Sequence, residues 1–301
     1  MEQHTEIQPK LVIAVIPARY GSVRLPGKML LDIAGKPLIL HTLAQAKKAR
    51  TVSRVIVATD DQRIFDVITA NDGEAVMTSP EHRSGSDRLA EVAETLPEGS
   101  IIVNVQGDEP LISPDTIDAA VEALTGGNAS VNERVSESDS YPSDGTFLNS
   151  RVSVDEPDIV TVCEPITSLW GEVLNFNVVK VVVGADGYAL YFSRSPMPFP
   201  REASLRWGGD PNVAIEEEPD LLANFRKHTG LYVYRREYLL KFTKMPQTRL
   251  EQIEMLEQLR ALENGAKIKV VEVNVPSIGV DTPEDLELVR SLLISEEIKG
   301  S

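Results

Sequence analysis

Twelve consecutive residues near the start of the chain, Pro17-Ala18-Arg19-Tyr20-Gly21-Ser22-Val23-Arg24-Leu25-Pro26-Gly27-Lys28, hold three cations and two glycines. Glycine lets a backbone approach phosphate oxygens, arginine offers a planar fork and lysine a compact charge, so these types suit a triphosphate. The loop is a local reversal of charge, because the whole chain carries 30 Lys and Arg against 46 Asp and Glu. Spacing excludes a Walker A loop: five residues rather than four separate Gly21 from Gly27, and Met29 stands where Ser or Thr would meet magnesium. A G-x-G-x-x-G dinucleotide fingerprint is absent as well. By cation count alone, an ordinary solvated basic loop is the better reading.

Two carboxylates stand at comparable places further on. Asp108 comes directly after the strand-like run Ile101 to Val105, and Asp281 follows Val280 just ahead of the helix cap Thr282-Pro283-Glu284-Asp285. Alone, each is better explained by a turn or a cap than by chemistry.

The elements around these residues decide where they can point. Leu11-Val12-Ile13-Ala14-Val15-Ile16 is short and apolar at every position, the pattern of a strand covered on both faces. Val55 to Thr59 and Ile101 to Val105 read alike, with helical-period stretches at about 38–50, 62–71 and 86–96 between and around them. This alternation predicts right-handed βαβ units and a largely parallel sheet. Open α/β sheets take ligands beyond the carboxyl ends of their strands, where the basic loop must lie.

Ser113-Pro114-Asp115 opens another helix, to about Leu124. From Gly126 to Pro157 the sequence is polar with no sustained period, and reads as a long insertion loop. Strand-like runs return at 159–163, 178–183, 188–192 and 229–234, with a hairpin turn at Asp186-Gly187, so this half is expected to be more antiparallel. One helix is predicted from about Arg249 to Asn264, with Leu250, Ile253, Leu256 or Met255, and Leu259 on its core stripe. Glu251, Glu254 and Gln258 would share another face. A strand at 268–273 and a helix capped by Thr282 complete the chain.

The expected fold is an α/β three-layer sandwich with a mostly parallel, partly mixed central sheet and a smaller antiparallel portion. A single domain spans 11–293, comprising a half at 11–125, the insertion at 126–157 and a half at 158–293, with tails at 1–10 and 294–301.

The segment Arg19 to Lys28 resembles the signature loop of the CMP-sugar synthetases, specifically those for 3-deoxy-manno-octulosonate (Kdo), the Kdo cytidylyltransferases. Further matches run in order: Ser84-Gly85-Ser86-Asp87-Arg88, Val103 to Pro110, Gly187 to Arg194, His228-Thr229-Gly230-Leu231-Tyr232, Leu250 to Arg260 and Gly279 to Leu286. The resemblance covers about residues 11–125 and 159–293.

It implies a reaction of CTP with an acidic 2-keto sugar, giving CMP-Kdo and diphosphate for lipopolysaccharide or another Kdo-containing glycan, with Mg²⁺ as cofactor. By the same resemblance, Ala18, Arg19, Arg24 and Lys28 would hold the triphosphate, and Ser84, Ser86, Arg88 and Gln106 the rest of the nucleotide. Asp108 and Asp281 would be the magnesium ligands and, with Arg19 and Lys28, the catalytic groups. Gln106, Arg194, His228, Tyr232, Glu251, Glu254 and Gln258 would form the sugar site, with Arg194 and His228 as its cations. A homodimer is implied too.

Rival readings are a synthetase for 8-amino-Kdo or a sialic acid, an inactive nucleotide-binding regulator, and a glycosyltransferase. The regulator should lack a cation or a carboxylate, and none is missing; the glycosyltransferase should carry a D-x-D motif after one of the expected strands, and none is found there. A formal charge of -16 argues against nucleic acid and anionic membranes as partners. The single cysteine, Cys163, cannot form an internal disulfide and reads as a small buried apolar residue. With no apolar run long enough to span a bilayer and no signal-like start in Met1 to Lys10, a cytoplasmic address is expected.

Overall fold

Alternate residues of the first strand enter two different cores. In a computed structural model, which describes residues 10–21, 25–126 and 156–300, Val12, Ala14 and Ile16 join one buried cluster while Ile13 and Val15 join another. The period-2 geometry of a strand sends neighbours to opposite faces, so a run that is apolar throughout is one covered on both sides.

β1 (Val12–Ala18) leads into the basic loop, a 3-10 turn at Lys28–Leu30 and a short antiparallel ribbon of β2 (Asp32–Ile33) and β3 (Lys36–Pro37). Then come α1 (Leu38–Ala46), β4 (Arg54–Thr59), α2 (Gln62–Ala70), β5 (Glu74–Met77), α3 (Gly85–Glu94), β6 (Ile101–Asn104) and α4 (Pro114–Thr125). β1 pairs in parallel with β4 and β6, and β4 with β5. Local signals set the helix starts: Asp61 caps α2, Ser84 and Asp87 form a capping box on α3, and Pro114 opens α4. β5 escaped the sequence reading because Glu74-Ala75-Val76-Met77 is short and sits at the sheet edge, so it lacks an apolar run.

The second half supplies β7 (Ile159–Pro165), β8 (Lys180–Val183), β9 (Ala189–Ser193), α5 (Arg201–Arg206), α6 (Pro211–Glu217), β10 (Arg226–Arg235), α7 (Arg236–Phe242), α8 (Arg249–Glu254), α9 (Gln258–Glu263), β11 (Ile268–Glu272) and α10 (Pro283–Gly300). The β8–β9 hairpin turns at Asp186-Gly187, where Gly187 has φ +77°. The described residues form one nine-stranded sheet in the order β11-β7-β10-β6-β1-β4-β5, with β8 and β9 branching from β10. β10 runs antiparallel to both β6 and β7, which joins the two halves in a single mixed sheet. Cys163 is buried on β7, and burial pushes its thiol up to about 12, as a packing residue should behave.

Three expectations need correcting or setting aside. The single helix at 249–264 is two, because Met255 adopts φ +53° and ends α8; only a left-handed residue breaks the ladder there. The break turns Ile253 and Met255 outward, 66% and 76% exposed, so neither belongs to the core stripe. The expected tail at 294–301 is helical as far as Gly300. Most of the insertion, residues 127–155, lies outside the described residues, as do residues 1–9 of the N-terminal tail.

Candidate active site

Beyond Ala18 the chain leaves the sheet over a cleft of about 550 Å³. Ala18, Arg19, Lys28, Ser84, Arg88, Gln106, Asp108 and Asp281 all line it. Residues from four separate segments therefore meet at the carboxyl ends of the central parallel strands, where such sheets place ligands. Arg24 lies outside the described residues.

Lys28 is the centre of the arrangement. Gly27 precedes it at φ +67°, and a Cβ there would lie 3.0 Å from the Tyr20 hydroxyl, so glycine is required to turn the lysine inward. The ammonium donates to Asp108 Oδ2 at 2.6 Å and to Asp281 Oδ1 at 3.0 Å, with its side chain only 7% exposed. Burial works to lower the lysine's pKa, but the two carboxylates outweigh it and hold the ammonium above its ordinary value.

The two acidic loops are stitched together by Val280 N–H donating to the Asp108 carbonyl at 2.9 Å. Asp281 sits just before Thr282, whose hydroxyl accepts from Asp285 N–H at 3.2 Å while the Asp285 carboxylate accepts from the Asp281 and Thr282 amides.

Two carboxylates converging on one cation are also a donor set that fits Mg²⁺, which commonly takes one or two carboxylates and fills its octahedron with phosphate oxygens and water. Among the described residues no cluster of three or more His, Cys, Asp or Glu side chains gathers around a cation position. The remaining ligands would have to arrive with a nucleotide.

α3 brings the next part. Ser84 and Ser86 both donate to the carboxylate of Glu257, at 3.2 and 2.7 Å, and Arg260 donates to the same group at 2.6 Å. Burial nevertheless holds Glu257 above the usual carboxylate range. Glu257 was not among the predicted site residues; the unbroken helix expected there concealed which glutamate reaches across. Arg88 pairs with Asp60 at 2.7 Å and also donates to Thr78, so one buried guanidinium ties α3 to the loops after β4 and β5. His82, held by Glu91, is a second lining residue that the sequence did not single out.

A smaller cavity of about 200 Å³ adjoins the cleft, and Gly85 and Gln106 border both. Gln106 is fixed by the Gly230 carbonyl at 3.2 Å and Asn104 at 3.3 Å. Of the residues expected at a sugar site, Gln106, Tyr232 and Gln258 line this cavity.

The other four do not line it. The Arg194 guanidinium is engaged by the carbonyls of Glu254, Phe176 and Met255 at 2.8, 3.0 and 3.5 Å. Glu254 accepts from Ser193 Oγ and Arg194 N–H, and Glu251 closes the capping box of α8 while facing Arg260 at 3.2 Å. The break at Met255 means that Glu251, Glu254 and Gln258 share no helical face.

His228 is not the cation expected. It lies between the rings of Phe192 and Tyr232, 5.1 and 5.3 Å away, and shares a hydrogen bond of 3.0 Å with Thr161 Oγ1. Burial of the ring pushes its pKa down to about 3, so the imidazole is neutral at physiological pH. The unfolded chain takes up a proton near 6.5 and the folded one only near 3, so this group's stability contribution is full above 6.5 and is lost as pH falls towards 3. His228→Gln should therefore flatten the fall in unfolding free energy across that window, by up to about 1.4 kcal/mol per pH unit. Urea titrations at several pH values measure it, and parallel slopes for parent and variant would contradict it.

The comparisons with known proteins agree with this geometry. A family model described as cytidylyltransferase matches residues 13–268. The chain is 50% identical over 279 residues to a 3-deoxy-manno-octulosonate cytidylyltransferase of Trichlorobacter lovleyi, covering 93% of this chain and 97% of that one. It is 47% identical over 282 residues to the protein of the same name from Geobacter sulfurreducens, covering 94% and 99%. Among solved structures, a CMP:2-keto-3-deoxy-manno-octonic acid synthetase complexed with CTP superimposes with a TM-score of 0.76 at 38% identity, over 95% of this chain and 100% of that one. A 4-diphosphocytidyl-2C-methyl-D-erythritol synthase from Anaerococcus prevotii, at TM-score 0.54 and 12% identity over 95% and 99% of the two chains, shares the fold.

Proposed function

Because the chain belongs to the cytidylyltransferase family and matches its 3-deoxy-manno-octulosonate members over nearly its whole length, we propose that it makes CMP-Kdo and diphosphate from CTP and Kdo. The observation that carries this is the pair of joined cavities, one lined by cations and carboxylates and the other by Gln106, Tyr232 and Gln258. In the reaction the anomeric hydroxyl oxygen bonds to the α-phosphorus, the bond to the β-phosphate oxygen breaks, and the hydroxyl proton is released.

Transfer of this kind needs positioning and charge neutralisation more than a protein nucleophile. Lys28, kept protonated by its two carboxylates, and Arg19 on the cleft wall supply positive charge where diphosphate departs. Asp108 and Asp281 would hold Mg²⁺, which would neutralise the triphosphate and polarise its oxygens. Ser84, Ser86 and Gly85 shape the boundary between the cavities, and Gln106 spans it. Incubation with CTP, Mg²⁺ and a panel of 2-keto acid sugars, reading diphosphate release, tests the assignment. Preference for a sialic acid or 8-amino-Kdo would move the chain to a neighbouring specificity.

The reading extends to a homodimer. Phe176, Leu190, Ile253 and Met255 are each at least 65% exposed, and the Arg194 guanidinium reaches the backbone carbonyls of both Phe176 and Met255, which brings those two residues near one another. Fully burying each apolar side chain would contribute about 1.5–3 kcal/mol, enough for a second copy to be the natural cover. Phe176→Asp is expected to shift the protein from dimer to monomer on sizing with light scattering; an unchanged mass would place the contact elsewhere. Among the described residues no helix is long and apolar enough to cross a membrane. A cytoplasmic setting, with CTP at hand, and supply of an activated sugar for lipopolysaccharide assembly complete the reading.

A further inference from the structure

A hydrogen-bonded latch lies behind the two carboxylates, in residues that no site expectation included. The loop between β11 and α10 carries Asp281 at its end, and Ser277 stands four residues earlier. Its hydroxyl donates to Glu109 Oε2 at 2.9 Å and its amide donates to Glu164 Oε1 at 3.1 Å. Glu109 follows Asp108 directly and is 9% exposed, while Glu164 on β7 is 3% exposed. The same Glu164 oxygen accepts from Thr229 Oγ1 at 2.7 Å, and Lys227 lies 3.2 Å from the other oxygen and 2.8 Å from Glu172.

One serine thus fastens the Asp281 loop to the turn of Asp108 through its side chain and to the sheet through its backbone. Val280 N–H on the Asp108 carbonyl is the second stitch between the two carboxylate loops. Between these stitches the backbone from Ser277 to Val280 has little freedom to move relative to Asp108. The separation of the two carboxylates is therefore set by hydrogen bonds to buried partners. Glu164 is anchored in turn, through Thr229 and Lys227, to β10, the strand that joins the halves of the molecule.

Resting on the reading of Asp108 and Asp281 as the magnesium pair, we propose that Ser277 is a positioning residue that sets their spacing for a nucleotide-bound divalent cation. A serine hydroxyl suits the task because it bonds Glu109 without adding charge beside Asp108 and Asp281. Groups one shell away from a metal commonly matter for its affinity as much as for stability. The latch thereby predicts an effect on metal binding separable from an effect on folding.

The test is Mn²⁺ binding to the full-length protein in the presence of CTP, followed by electron paramagnetic resonance, for the parent, Ser277→Ala, Ser277→Thr and, as a control on the exposed side of α10, Ser291→Ala. Ser277→Ala should raise the Mn²⁺ concentration for half-saturation roughly tenfold, as loss of outer-shell partners does. Its turnover should recover as Mg²⁺ is raised. Ser277→Thr keeps the hydroxyl and should stay near the parent, as should Ser291→Ala.

A Ser277→Ala curve that superimposes on the parent's, whatever the melting temperature does, overturns the proposal. So does a Ser277→Thr protein as weak as Ser277→Ala, since the hydroxyl would then be irrelevant. A parent that binds no Mn²⁺ with CTP removes the metal reading and the latch together. A parent that binds it normally while Ser277→Ala matches it removes the latch alone.

Discussion

Asp108→Asn and Asp281→Asn are each expected to lower turnover by roughly a hundredfold or more, with CTP binding in the absence of metal much less changed. Each substitution keeps the shape of the side chain and removes one of the two negative charges that converge on Lys28. A divalent cation left with one carboxylate is held less firmly against the triphosphate, and its electrostatic contribution is worth several kcal/mol, which is about two orders of magnitude in rate. Raising Mg²⁺ should recover part of the loss if weakened metal binding is its source. Steady-state rates across a Mg²⁺ titration measure this, and near-normal turnover of either variant at saturating metal would remove that residue from the proposed pair.

Lys28→Met is the second substitution with a large expected effect. The ammonium lies within hydrogen-bonding distance of both Asp108 and Asp281, and its side chain is almost wholly buried. Without it the cleft loses a charge for departing diphosphate, and turnover should fall by about two orders of magnitude, comparable with removing one preorganised electrostatic donor. Stability should behave differently. The two carboxylates would lose the ammonium they share, so the folded protein should be weakened in metal-free buffer. Both acidic groups are partly exposed, 27% and 47%, so water screens much of that repulsion and the loss should fall below that of a fully buried pair.

Added Mg²⁺ should then raise the melting temperature of Lys28→Met more than that of the parent, because it replaces the missing cation. Parallel melting curves with and without Mg²⁺ read this directly. An equal shift for the two proteins would mean that the lysine and the metal do not share the carboxylates.

Tertiary structure changes how other expected residues act. Arg194 holds two carbonyls of the turn from α8 to α9 and ties them to that of Phe176, so its replacement would loosen that turn before any sugar is present. Glu257, by contrast, joins the serines at the start of α3 to the start of α9, placing one carboxylate on the wall of the smaller cavity.

Local order and chemical type were legible in the sequence. Strands buried on both faces read as unbroken apolar runs, the starts of two helices read from Ser113-Pro114-Asp115 and Thr282, and the hairpin read from Asp186-Gly187. The basic loop and the two strand-end acidic residues were legible for the same reason: residue type and place in an alternating pattern restrict which end of a parallel sheet they occupy. Which groups touch was not legible. Lys28 and Asp281 are 253 residues apart, and no local period records that their side chains meet. The helix expected at 249–264 failed because Met255 is left-handed, which no helical period records, and beyond that break Glu257 reaches Ser86 while Glu254, before it, holds Ser193. The charge of His228 was decided likewise, since burial keeps an imidazole neutral, and Phe192 and Thr161, which pack against it, come from other strands.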